Sequence, residues 1–480
     1  MLFSSITFCL FFLPVVVLLY YLFPNRMYRN SLLLASSLLF YAWGEPKLVF
    51  LMMGSILFNY CMGRLMERTE SKKTLLVSAI VVNIGVLFVF KYLGFTCEII
   101  NRLVSSLHIR PLETLNLVMP IGISFYTFQT ITYLVDTYRN PGLTQKNILN
   151  LGLYITFFPQ LVAGPIVRYH DIGRQIVNRS ESLEKAVTGL TRFIVGLSKK
   201  VLIANNLAIV CDAVYAADPA TYGTLAAWIA AVAYALQIYY DFSGYSDMAI
   251  GLAKIFGFDI LENFNYPYAA SSVTDFWKRW HISLTSFFRD YVYIPLGGNR
   301  KGGGRTMFNR IFVFFLTGLW HGAAVHFVCW GLLHGGAMIL ERALKLHQRL
   351  KGLPGAFYRI FTLAKITCLW VVFRNGMKGS LCLLLKMFGA DGLLYPGISR
   401  MVEGWPDLCW KYHCDTKFCI ILLIAVVLCF PWWKKIRLGN HRALSRFLEA
   451  ASYAVLAALW VTCVAFLAKN TYNPFIYFRF

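Results

Sequence analysis

Long, predominantly apolar stretches, such as ITFCLFFLPVVVLLYYLF at 6–23 and TLLVSAIVVNIGVLFVFKYL at 74–93, limit the folds open to this chain more than any motif does. A bilayer core is crossed by about 20 apolar residues in a helix, and a segment in lipid must satisfy its own backbone hydrogen bonds. Hydrophobic residues make up 58% of the 480 positions and charged ones 14%. The alternating ten-residue segments of a membrane β-barrel are absent. The chain therefore reads as an all-α polytopic membrane protein. Its candidate spans are 6–23, 31–43, 47–62, 74–93, 117–135, 148–164, 186–209, 222–240, 310–328, 328–341, 357–373, 417–433 and 449–468. Several are too short to cross alone and read as paired half-helices or re-entrant pieces buried in protein.

No Lys or Arg precedes the first apolar run, no small-residue cleavage site follows it, and Arg26 and Arg29 lie just beyond, so it is expected to remain as an anchor. The 46 Lys and Arg against 23 Asp and Glu sit mostly in short loops beside the spans. That distribution fits the positive-inside rule and not a nucleic-acid surface. It places Arg26–Arg29, Arg64–Lys73, Arg168–Arg179, Lys199–Lys200, Lys278–Arg310 and Lys434–Arg442 on the cytoplasmic side, with the N-terminus, Cys97–Glu113 and Met401–Lys417 outside. Most of the twelve cysteines fall in apolar runs as small core residues. In CWKYHCDTKFC, Cys409, His413, Cys414 and Cys419 leave three readings open: a disulfide, a zinc site or chance.

There is no internal repeat, low-complexity tract or soluble domain, so residues 1–480 read as one membrane domain. The largest polar interval, 256–310, is too short to bury a core and is expected to pack on the membrane body as a cytoplasmic or interfacial segment.

Polar residues in or beside apolar runs are costly and mark candidate sites. His281 lies in FWKRWHISLTSFFRDY, where aromatic residues alternate with Lys278, Arg279 and Arg289 as in an interfacial helix, and a snorkelling anchor competes with a functional role. His321 lies in an apolar run with Gly318, Gly322, Ala323 and Ala324, small residues that permit close helix approach. A desolvated imidazole stays neutral and can accept a proton, so His321 is either a general base or a core histidine bonded to a carbonyl. His326 and His334 read as packing or supporting residues. On one helix, 321 and 326 would point about 140° apart, and no H-E-x-x-H spacing occurs, so no metal is expected. PLGGNRKGGGR at 295–305 reads either as a mobile linker or as an anion-attracting loop through Arg300, Lys301 and Arg305. Asp241 and Asp247, beside an apolar run, are expected to be paired with a histidine or arginine.

Six ordered strings, MPIGISFYTFQTITYLVDTYR (119–139), FFPQLVAGPIVRY (157–169), YYDFSGYSDMAIGLAKIFGFDILENFNYPY (239–268), FWKRWHISLTSFFRDYVYIPLGGNRKG (276–302), LTGLWHGAAVHFVCWGLLHG (316–335) and NPFIYFRF (473–480), resemble the membrane-bound O-acyltransferase family. The resemblance is to its bacterial alginate O-acetyltransferase branch, related to the D-alanyl transfer protein of teichoic acid. It implies a ring of tilted transmembrane and re-entrant helices around a central funnel, with the motif-bearing core at 119–335. By motif position it puts the principal catalytic histidine on His321 and a second on His281. Trp320, Asp241, Asp247, Trp277, Arg279, Arg289 and His334 are then candidate substrate-binding or supporting residues.

The chemistry implied is acyl transfer from acetyl-coenzyme A or another cytoplasmic acyl thioester, with no permanently bound cofactor. His321 would remove the proton from the attacking hydroxyl, and His281 or a backbone N–H would stabilise the oxyanion. In relatives of this branch the acetyl group crosses the bacterial inner membrane and passes to an extracytoplasmic SGNH (AlgJ/AlgX-like) acetyltransferase or another acceptor protein, which esterifies an exported polysaccharide. The outward loops here carry no G-x-S-x-G nucleophile, in keeping with such a partner. D-alanyl-type transfer to a teichoic acid-like acceptor, a lipid or glycan transporter, and a structural scaffold are the competing readings.

Overall fold

The computed structural model of the chain describes residues 1–105, 111–113, 117–350, 352–390, 404–432, 442–469 and 476. Among them there is no strand: the fold is all-helical, as the apolar patterning requires. Six described helices are long and apolar enough to cross a membrane, namely Val49–Arg68, Lys72–Ser105, Leu183–Ala216, Thr224–Ile255, Gly352–Arg374 and Leu448–Lys469. Thr7–Leu22 and Thr416–Leu428 are shorter apolar helices. The basic positions 434–441 and the terminal string, apart from Ile476, lie outside the described residues, as do 106–110 and 401–403.

Several expected boundaries shift for identifiable reasons. The 222–240 span is part of Thr224–Ile255, whose apolar window is 78% buried in protein, so its polar second half need not meet lipid. The 186–209 span extends to Leu183–Ala216 through a wide turn at Lys199–Ala204. The 148–164 stretch breaks into Ile148–Thr156 and Phe158–Leu161, with Pro159 inside the first turn of the second piece, where its missing N–H costs nothing. The 310–328 and 328–341 stretches become Gly302–His321 and Val325–Ala343, so their junction falls at 322–324 and not at 328.

The chain packs into two compact units. The first comprises Met1–Phe193 and Ser246–Glu262. Its core includes a cluster of rings from Phe3, Phe8, Phe12, Phe40 and Phe158. Cations assigned from the sequence to loop clusters are structural here: the Arg179 guanidinium donates to Asn30 Oδ1 at 2.8 Å and to the Phe256 carbonyl at 3.0 Å, while Arg26 pairs with Glu181 at 2.5 Å. Within this unit Gly189 meets Gly251 so closely that a Cβ on either would lie 2.5–2.6 Å from the other's carbonyl oxygen.

The second unit comprises Ile194–Tyr245 and Asn263–Phe480 and contains both motif histidines. Its central feature is the hairpin of Gly302–His321 and Val325–Ala343. A Cβ on Gly318 would sit 2.3 Å from the Phe327 carbonyl oxygen, and one on Gly331 2.2 Å from that of Phe314. Close approach through Gly318 is as the sequence suggests, and Gly331 on the facing helix supplies its counterpart. The glycine loop is not a mobile linker: buried Asn309 donates from Nδ2 to the Gly298 carbonyl at 3.1 Å, and Tyr293 bonds Asn299. Gly297 and Gly298 carry φ of 104° and 54°, which only glycine adopts freely.

Candidate active site

His321 is the last residue of Gly302–His321 and is 7% exposed. Its ring is boxed by aromatic rings: Trp320 at 4.9 Å, Trp330 at 5.2 Å and Phe373 at 5.1 Å between centroids. Trp330 stacks on Trp370 and meets Phe373, so the wall beside the imidazole is apolar and close-packed.

His281 is fully buried, which overturns the snorkelling-anchor reading. The segment is not one interfacial helix either: it is Val273–Trp277 and Ile282–Phe288, with His281 between them at φ 44°. A non-glycine residue in that left-handed region costs about 1 kcal/mol or more and persists where its surroundings fix it. Asn263 does so. Its carbonyl oxygen accepts the Ser283 backbone N–H at 3.2 Å and the Ser283 hydroxyl at 2.8 Å, and its backbone carbonyl accepts the Ile282 N–H at 3.0 Å. Because a backbone N–H donates to Asn263 Oδ1, that atom is the amide oxygen, and His281 Nδ1, 3.1 Å away, carries the proton. His281 Nε2 therefore presents a lone pair, and it has no hydrogen-bond partner among the described residues. Burial pushes the pKa of this imidazole down to about 3, so it stays neutral. A neutral His281 in this tautomer is an acceptor at Nε2, opposite in polarity to the oxyanion donor expected from the sequence.

The two histidine rings stand 6.5 Å apart between centroids. That is too far for a direct bond between the imidazoles and leaves room for one substrate oxygen in reach of both. Trp320 flanks the pair, 5.8 Å from His281. Phe242 packs against His281 in a T-shaped pair with ring centroids 4.7 Å apart.

The other candidates divide. Trp277 donates from Nε1 to His334 Nδ1 at 3.2 Å, and His334 packs 4.9 Å from Trp330, so both support the aromatic wall. His326 lies on Val325–Ala343, a different helix from His321, and is half-buried against Phe327. Arg279 pairs with Asp275 at 3.0 Å and Arg289 with Asp290 at 2.7 Å, each a local ion pair. Asp247, in the first unit, pairs with Arg192 at 2.9 Å, an arginine as expected. Asp241 instead pairs with Lys200 at 2.6 Å, both side chains 2% exposed, and accepts the Ile476 N–H at 2.8 Å. Lys200 is thus a buried counter-ion and not a cytoplasmic loop cation.

Sequence reasoning passed over Asn263, Ser283, Trp330 and Phe373, which shape the site. Asn263 and Trp330 lie inside quoted motifs, in ENFNYPY and FVCWG, where a buried amide and an indole between histidines were the available signals. Cys409, Cys414 and Cys419 form no disulfide among the described residues, and no group of three His, Cys, Asp or Glu among those residues is arranged to hold a metal ion.

The family model described as MBOAT, membrane-bound O-acyltransferase family, matches residues 113–383, a stretch that contains both histidines and Asn263. The chain belongs to the membrane-bound O-acyltransferase family. As a member of that family it is an acyltransferase embedded in a membrane by several helices. It is 42% identical to a probable alginate O-acetylase of Pseudomonas putida, over 100% of both chains. It is 36% identical to a peptidoglycan O-acetyltransferase of Helicobacter pylori over 100% of this chain and 98% of that one. A teichoic acid D-alanyltransferase of Bacillus subtilis is more distant, at 28% identity over 54% of this chain and 68% of the relative.

Proposed function

We propose that this O-acyltransferase takes an acetyl group from a cytoplasmic thioester, acetyl-coenzyme A or a related acyl donor, and passes it across the bacterial inner membrane for O-acetylation of an exported or cell-surface polysaccharide. The observation that carries this reading is the buried His321–His281 pair, its ring centroids 6.5 Å apart beside an aromatic wall. His321 acts as the base. It takes the hydroxyl proton as the alkoxide oxygen attacks the thioester carbonyl, and the tetrahedral intermediate collapses by breaking the C–S bond. The imidazolium then returns the proton to the departing thiolate, and the ester remains. His281, held neutral with its lone pair inward, accepts from a second O–H or N–H of the substrate and so orients the attacking hydroxyl toward His321. The indole N–H of Trp330, buried beside His321 with no acceptor among the described residues, supplies an oxyanion donor.

Acetyl transfer is favoured over D-alanyl transfer because the full-length match is to a protein named as an alginate O-acetylase, whereas the D-alanyltransferase match covers 54% of the chain. The final ester is formed with an extracytoplasmic SGNH-type acceptor protein.

The test is the hydroxylamine-labile acetyl content of the host's exported polysaccharide at matched membrane abundance. Removing a general base costs about a hundredfold or more in rate, so His321→Ala is expected to abolish acetylation while His326→Ala leaves it intact. Equal acetyl content in all three strains would sink the reading.

A further inference from the structure

A second feature of the same unit has no part in this chemistry. A cavity of about 480 Å³ opens between Val273–Trp277, the hairpin helices and the beginning of Gly352–Arg374, lined by Ser271, Thr274, Lys278, Arg310, Arg342 and Tyr358. Its carboxylates are already engaged. Glu341 accepts the Val273 N–H at 2.7 Å, the Thr274 N–H at 3.0 Å and the Tyr358 hydroxyl at 2.7 Å. Asp275 is held by Arg279 at 3.0 Å and by the Ser271 N–H at 3.0 Å. Lys278, Arg310 and Arg342 are left with no carboxylate in ion-pair range among the described residues. Three cations without an ion-pair partner, converging on one cavity, suit a phosphate ester.

The helices that carry Arg310, Arg342 and Tyr358 add a second chemistry. Met307 and Phe308 lie just before Arg310 and are 50% and 53% exposed. Leu340 and Leu344 bracket Arg342 at 56% and 43%, and Phe357 and Phe361 flank Tyr358 at 64% and 61%. A soluble phosphate ester would use only the cations. An anionic head group with its acyl chains would use both. We propose that the cavity is a binding site for an anionic phospholipid of the cytoplasmic leaflet, its phosphate among Lys278, Arg310 and Arg342 and its chains along the exposed apolar residues of the same helices. This site does not depend on the role of His321.

The experiment is native mass spectrometry of the full-length protein released from nanodiscs of phosphatidylcholine with phosphatidylglycerol as the minor lipid. The wild type, His321→Ala, and Arg305→Gln, which removes a cation outside the cavity, are expected to retain phosphatidylglycerol. The triple variant Lys278→Gln/Arg310→Gln/Arg342→Gln is expected to lose its affinity by about a hundredfold, since each cation near an anionic head group contributes several-fold. Arg310→Lys/Arg342→Lys keeps the charge and should keep the lipid, which separates loss of the site from loss of the fold. Should the triple variant misfold, Arg310→Gln alone must still weaken retention. Unchanged retention in the charge-removing variants overturns the proposal. So does displacement of the lipid by coenzyme A whose own binding needs the same three cations, because the cavity would then serve a soluble phosphate ester.

Discussion

His281 Nδ1 donates to Asn263 Oδ1 at 3.1 Å, and the same oxygen takes both the backbone N–H and the hydroxyl of Ser283. One amide therefore sets the tautomer of the histidine and the turn that carries it. Asn263→Ala frees the ring, and a catalytic group misplaced by about 1 Å costs roughly a hundredfold in rate. Asn263→Asp keeps an acceptor and adds a negative charge, which favours the imidazolium. It should recover part of the rate while moving the acidic limb of the pH–rate profile upward. An unmoved limb would mean that Asn263 serves the fold alone.

The hairpin that carries His321 depends on backbone contact at Gly331. Gly331→Ala puts a methyl group 2.2 Å from the Phe314 carbonyl oxygen. Overpacking of this kind costs about 1–3 kcal/mol, and Trp330 should lose its place against His321. Gly336→Ala, with nothing within 4 Å of the added carbon, should be neutral or stabilising. Thermal unfolding of the purified protein compares them, and equal melting temperatures would contradict the packing argument.

Lys200 and Asp241 are buried together, and removing one leaves the other as an isolated charge. Lys200→Met is expected to destabilise the protein by about 3–5 kcal/mol, whereas Lys200→Met/Asp241→Leu should recover most of that. If the double variant is no better than the single, the charge pair is not what the site requires.

His170 bonds Asp136 through Nδ1 at 2.9 Å and Asp171 through Nε2 at 3.2 Å. The Asp136 carboxylate first, then Asp171, push its pKa up to about 9. The folded value lies above the ordinary histidine value of about 6.5. The added stability is therefore complete below about pH 6.5 and fades as pH rises through about 9. The wild type should exceed His170→Gln in thermal stability at pH 6 and match it at pH 10. A gap that widens with pH would reverse the assignment.

The helical class was legible because it rests on local chemistry, the apolar length of the helices, whereas local chemistry left each histidine between a packing and a functional role and only the family resemblance singled them out. Span boundaries were less so, because hydropathy cannot see that Asp241–Ile255 continues a helix once protein replaces lipid around it. The tautomer of His281 was out of reach altogether. It depends on Asn263, eighteen positions earlier, which a turn brings to its ring. Lys200 misled for a related reason: beside Lys199 it reads as a loop cation, and only its contact with Asp241 shows a buried charge.

The chain passes between its two compact units at 193/194, 245/246 and 262/263. No single cut separates them, since residues 246–262 return to the first unit in the midst of the second. A protease nick or a gene split within the core therefore cannot release two self-sufficient halves, and exchange of one half with a relative would divide the continuous helix Thr224–Ile255 between parents. Substrate preference in such a scaffold is more readily altered by single substitutions than by swapping modules.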